Sequence, residues 1–132
     1  SMINLVPVTT LYASLCALLL LGLSSRVVRF RQTLGVNLGD ADNPELERAI
    51  RVQANFVEYV PTILFLLLLA ELNHLSGWLL HVAGAGIFIA RVMHAWGLAS
   101  TKGRSVGRFY GTLFTWIILL ALAIGNLVLL FL

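Results

Sequence analysis

The stretch "ERAIRVQANFVEYVPT" carries Arg48, Arg51, Asn55, Glu58 and Thr62 at three- and four-residue spacing. At 100° per residue these side chains fall within an arc of roughly 80°, while the other faces carry Ala, Val, Phe and Leu. A stripe of that kind can bind. Guanidinium groups take carboxylates bidentately and lower the pKa of a nearby thiol, and a carboxylate receives an amine. Arg29 and Arg31 end the preceding apolar segment, and Arg104 and Arg108 open the last one, at the same level as the stripe. A small zwitterion with two carboxylates and one free amine suits this set. Glutathione meets that description; a nucleotide sugar or an anionic lipid headgroup meets it as well.

A blander reading stands beside it. Glu58 could be an internal staple, paired with an arginine from a neighbouring helix and doing nothing else. Arg91 and His94 in "ARVMHAWG" lie three residues apart on one face, and Arg91 is the natural partner for Glu58. That pair is expected to be mainly structural. His94 either donates to a ligand or satisfies a buried carbonyl. An unpaired acid at membrane depth costs several kcal/mol, so a stripe of this length favours a ligand cavity. Cys16 is the single cysteine, which excludes a disulfide framework and a thiolate metal site and leaves a packing role. No metal is expected. His74 and His81 sit far from the basic segments and are expected at the surface.

The elements that must position these groups are apolar. Of 132 residues, 59% are hydrophobic and 11% charged, more apolar surface than one soluble core of this size could hide. Four segments reach the roughly 20 residues that cross a hydrocarbon layer. The first has no basic leader region and no small-residue cleavage site, and is expected to be retained. The expected fold is an all-α integral membrane protein, one domain over residues 1–132, with helices at about 5–31, 44–72, 77–98 and 107–132. Asn43 followed by Pro44 marks the second helix start, with Glu45 and Glu47 in the turn where the helix dipole favours acids. That helix would run about 43 Å, so its first turns stand in water or headgroups. Basic residues cluster in the first and third connections, and "NHLSG" between the second and third helices has none. Positive-inside counting therefore places connections one and three in the cytoplasm. The placement suits anionic lipid and argues against nucleic acid. Polar positions stop after Thr62, which argues against a transport path.

"NPELERAIRVQANFVEYVP" resembles the signature of the MAPEG superfamily, the membrane-associated proteins of eicosanoid and glutathione metabolism. Glu47, Arg48, Arg51, Asn55, Glu58, Tyr59 and Pro61 match its pattern. "VVRFR", "ARVMH" and a basic start to the fourth helix match by position, so the resemblance spans essentially the whole chain. Its short connections look like the small bacterial branch, which implies a multi-pass protein of a bacterial inner membrane. The resemblance implies a homotrimer that binds glutathione between subunits near the cytoplasmic face. Arg51, Asn55, Glu58 and Tyr59 would hold the tripeptide with Arg29, and Arg91 and His94 occupy matching positions, with Arg48 as a further structural or binding group. Arg108, with Arg104 as second candidate, would stabilise the thiolate of glutathione, a co-substrate. The implied activity is transfer of glutathione to a hydrophobic electrophile dissolved in the bilayer, with peroxide reduction as a related activity. Ala54 and Leu98 stand where some members have a basic residue and a tyrosine, which argues against eicosanoid-specific chemistry. The alternative is a non-catalytic lipid- or ligand-binding scaffold of the same fold.

Overall fold

The computed structural model describes residues 3–100 and 106–132, apart from the side chains of 98–100. It contains four helices: α1 (Pro7–Leu34), α2 (Pro44–Leu72), α3 (Gly77–Ser100) and α4 (Val106–Leu130). All four are long and apolar enough to cross a membrane. The chain is a multi-pass membrane protein, as its composition requires.

The helix ends follow local chemistry. Asn43 caps α2 as expected: its Oδ1 accepts the amide N–H groups of Glu45 and Leu46, both at 3.0 Å. Pro44 fills the first helical position, where its missing N–H costs nothing. α1 starts later and ends later than expected. Pro7 sets its first turn, and Gly35 stops it in the left-handed conformation (φ 68°) while donating its N–H to the Arg31 carbonyl. α4 closes at Leu130, just short of the expected 132, in a turn where the Phe131 N–H reaches the Val128 carbonyl.

α2 and α3 are the two central helices, each touching the other three. The buried residues of α2, Leu46, Ala49, Val52, Phe56, Val60, Ile63, Leu67 and Ala70, recur every three or four positions and form one stripe. The polar stripe lies about 120° round the same helix. Packing therefore seats α2 by one flank and leaves the polar flank beside α3 and open space. α1 and α4 both contact α2 and α3, but among the described residues they do not pack against each other. The bundle has two distinguishable ends. The α1–α2 connection and the start of α4 form a basic end; both termini and the α2–α3 turn form a terminal end.

Candidate functional site

α2, α3 and α4 meet at Arg91, about three turns in from the basic end. This guanidinium is 1% exposed. Its Nη2 donates to Asn55 Oδ1 of α2 at 2.6 Å and faces His94 Nδ1 at 3.4 Å. Its Nη1 donates to Thr115 Oγ1 of α4 at 3.3 Å, and the Thr115 hydroxyl donates in turn to the Gly111 carbonyl at 2.7 Å. Arg91 Nε is buried without a partner.

Two glycines let α4 come close enough for this. A Cβ on Gly111 would stand 2.7 Å from the Ala90 carbonyl oxygen and 2.8 Å from the His94 backbone nitrogen, and one on Gly107 would stand 2.8 Å from the Met93 carbonyl oxygen. Real Cβ atoms do not approach so near. The Gly107–Gly111 spacing is thus an α3–α4 contact, which brings Thr115 within reach of Arg91.

The expected Arg91–Glu58 pair does not form. Glu58 instead faces Arg51 Nη2 at 3.6 Å, both side chains about half exposed (52% and 54%). Helical phase explains the difference. Asn55 projects on the side of the polar stripe nearer the buried flank, while Glu58 lies about 60° further round, on the stripe's far edge. Sequence spacing put both on one stripe; the stripe straddles the border between bundle and surroundings.

The other expected residues divide. Tyr59 is half-buried and packs on the apolar core. Tyr59 and Glu58 lie within electrostatic reach of Arg91, as Arg51 and Arg108 do of His94. Arg108 is exposed in the first turn of α4. Arg48 is half-buried, with its Nε buried and unpartnered. Arg29 is not gathered with Asn55: it opens on a separate cavity of about 290 Å³ with Arg26, Phe30 and Thr33. Arg31 is occupied by the connection, donating to the Gly39 carbonyl at 2.7 Å. Arg104 lies outside the described residues, and so does the side chain of Leu98.

Several polar contacts escaped the sequence reading. Gln53 Nε2 donates to Ser24 Oγ at 3.0 Å, joining α1 to α2. At the terminal end, Glu71 accepts the backbone N–H groups of Val8 and Thr9 at 3.0 and 2.7 Å. One signal pointed there: α1 begins at Val6 and Pro7 with no capping side chain of its own, so its free N–H groups need an acceptor from elsewhere. His81 is exposed as expected, yet its Nδ1 lies 2.8 Å from the Tyr12 hydroxyl. Cys16 is buried in an apolar cluster with Leu23, Phe56 and Val60.

The site as a whole combines a buried cation and two half-exposed opposite charges inside a membrane bundle, with Arg48 and Arg108 nearer the basic end. An ion pair half open at that depth is costly facing lipid, and it calls for protein, water or a ligand over it. The comparisons with known proteins agree with the motif. The chain is similar to the Inner membrane protein YecN of Escherichia coli (strain K12), 39% identical over 120 residues that cover 91% of this chain and 90% of that protein. The protein of the same name in Escherichia coli O6:H1 matches to the same extent. Residues 9–128 match the sequence profile of the MAPEG family, and the chain therefore belongs to that family.

Proposed function

We propose that the protein is a glutathione-dependent transferase of a bacterial inner membrane, working as a homotrimer with glutathione bound at the subunit interface. The observation that carries this reading is the half-exposed Arg51–Glu58 pair beside an Asn55 anchored from within. One subunit supplies these groups and leaves them uncovered. A second copy would cover them, and its Arg29, which faces away from the site in its own subunit, would supply a further guanidinium. Arg51 and Arg29 then take the tripeptide's carboxylates, Glu58 its amine, and Asn55 and Tyr59 its remaining polar groups.

The chemistry is nucleophilic substitution or addition. Arg108, with Arg104 as the alternative, stabilises the glutathione thiolate and so lowers the thiol pKa, the proton leaving to water. A hydrophobic electrophile enters from the bilayer where α1 and α4 fail to close on each other. The sulfur forms a bond to its electrophilic carbon, and a leaving group departs with the bonding pair or the addition product takes up a proton. Holding both partners at one place supplies most of the acceleration.

Titration of the detergent-solubilised protein with glutathione, followed by far-ultraviolet thiolate absorbance at neutral pH, tests this. A saturable signal is expected. Calorimetric binding without that signal would leave a ligand-binding scaffold. One observation favours that second reading: Arg26, Arg29, Phe30 and Thr33 already line a cavity within a single subunit, placed for an anionic lipid headgroup.

A further inference from the structure

We infer that Arg91 is a positioning residue that sets the polarity of the site: it holds Asn55 and His94 so that both are left as hydrogen-bond donors, and the site therefore takes ligand groups that accept. The ligand half of this inference rests on the glutathione reading; the assignment of Asn55 and His94 does not.

The reasoning is donor counting. A guanidinium has five N–H donors and no acceptor. Asn55 meets Arg91 Nη2 at 2.6 Å, so its amide can present only Oδ1 there; the flipped amide would set donor against donor in a buried place. Both Nδ2 hydrogens then remain for other partners. The same rule applies to His94. Nδ1 stands 3.4 Å from the same Nη2, so it offers a lone pair and the ring proton sits on Nε2. Thr115 completes the grip. Its hydroxyl hydrogen is committed to the Gly111 carbonyl at 2.7 Å, which leaves its oxygen to accept from Nη1 at 3.3 Å. Acceptors from three helices thus hold one guanidinium, and their own polarity is set by it.

A staple alone does not explain a charge here. Arg91 is 1% exposed, and the carboxylate expected to pair with it is taken up by Arg51. A buried cation without a paired anion is a poor source of stability. It is a good source of positive potential for an anion arriving nearby. Arg51 and Arg108 also lie within electrostatic reach of His94, so the groups turned to the ligand are donors and cations, with Glu58 the acceptor left for an amine.

Two measurements test this, the first without ligand. In protein labelled with ¹⁵N at histidine and held in detergent, His94, identified by its loss in His94→Gln, is expected to show a lone-pair Nδ1 and a protonated Nε2. Arg91→Lys, which also offers only donors, should keep that tautomer, and Arg91→Met should mix the two. A protonated Nδ1 in the unaltered protein overturns the assignment, whatever becomes of the Met variant. The second measurement uses Asn55→Asp, which keeps an acceptor for Arg91 but replaces the outward donor by a second acceptor. Thermal stability should hold, and glutathione affinity should fall about 10- to 100-fold, as for losing a hydrogen bond to a charged group. Unchanged or tighter binding overturns the inference. If the unaltered protein fails to bind glutathione, the transferase reading fails, and the histidine tautomer still decides the role of Arg91.

Discussion

Glu58 and Glu71 belong to the same helix, Glu58 at its midpoint and Glu71 in its last turn, and they meet different surroundings. Glu71 receives two backbone N–H groups from the first turn of α1, at 3.0 and 2.7 Å. It satisfies a helix start that has no cap of its own. Near it, Tyr12 and His81 engage each other at 2.8 Å, and Asn126 donates to two carbonyls. These contacts join helices to one another at the terminal end. Glu58 has a 3.6 Å contact with Arg51, in a pair that stays half exposed. Polar residues in a membrane bundle act as staples when their partners join one helix to another, and are site candidates when the pair they form lies within one helix and stays open to its surroundings.

The largest effect that would sharpen this contrast is at Arg108. In Arg108→Ala, the glutathione conjugation rate is expected to fall about 10²- to 10³-fold, the usual loss for one group that stabilises a developing or full anion. Thermal denaturation of the same variant separates lost chemistry from a lost fold. Conjugation at the full rate in both Arg108→Ala and Arg104→Ala would remove the assigned mechanism.

Glu58→Gln comes next. Glutathione affinity is expected to drop about 10- to 100-fold, since the carboxylate that meets the ligand amine is lost. Stability should move by less than about 1 kcal/mol, because a half-exposed pair contributes little. Calorimetry and thermal denaturation of the same sample separate the two. If stability falls and binding does not, Glu58 is a staple after all, and the contrast between the two glutamates collapses.

How far the sequence revealed this depended on the kind of signal. Four spans, the Asn43–Pro44 start of α2 and the stripe through Asn55 and Glu58 are local or periodic, and each is present in the fold. Which partner each polar residue meets is not periodic information. Charge alone pairs Arg91 with Glu58, but helical phase gives it Asn55 instead, and a close glycine contact with α4 gives it Thr115. Glu71 was passed over for a related reason. Its partners are backbone N–H groups on α1, more than sixty residues away, and the uncapped start of α1 calls for an acceptor without marking which residue supplies it. Arg29 shows the same limit at a larger scale: its role in the proposed site depends on a neighbouring subunit.

Glu71→Ala tests the closed end. It strips the acceptor from two N–H groups at the start of α1, which should cost about 1–3 kcal/mol of stability. Glutathione affinity should stay within about twofold, because the cap lies about four turns along α2 from Asn55. A matching loss of affinity would mean that the seating of α1 reaches the site through the bundle.

The smallest expected effect is at Asn126, and its smallness is informative. Its Nδ2 donates to the Leu66 carbonyl of α2 and the Leu122 carbonyl of its own helix, both at 2.9 Å. Each carbonyl sits inside a helix and already accepts a main-chain N–H four residues on, so losing the side-chain donor strands neither of them. Interhelical hydrogen bonds in membrane bundles average about 0.6 kcal/mol and reach about 1.7 at most. In Asn126→Leu a further term offsets the loss. The residue lines a cavity of about 490 Å³ between α2 and α4, with Leu66, Leu69 and Leu127, where an apolar side chain finds contacts that an amide does not. Thermal denaturation should therefore shift by less than about 0.6 kcal/mol in either direction, with glutathione binding unchanged. A loss as large as that of Glu71→Ala would show that this amide holds α4 in place against α2. The α4 contacts at Gly111 and Thr115 would then depend on the far end of the helix, and the two ends of the bundle would have to be treated as one coupled system.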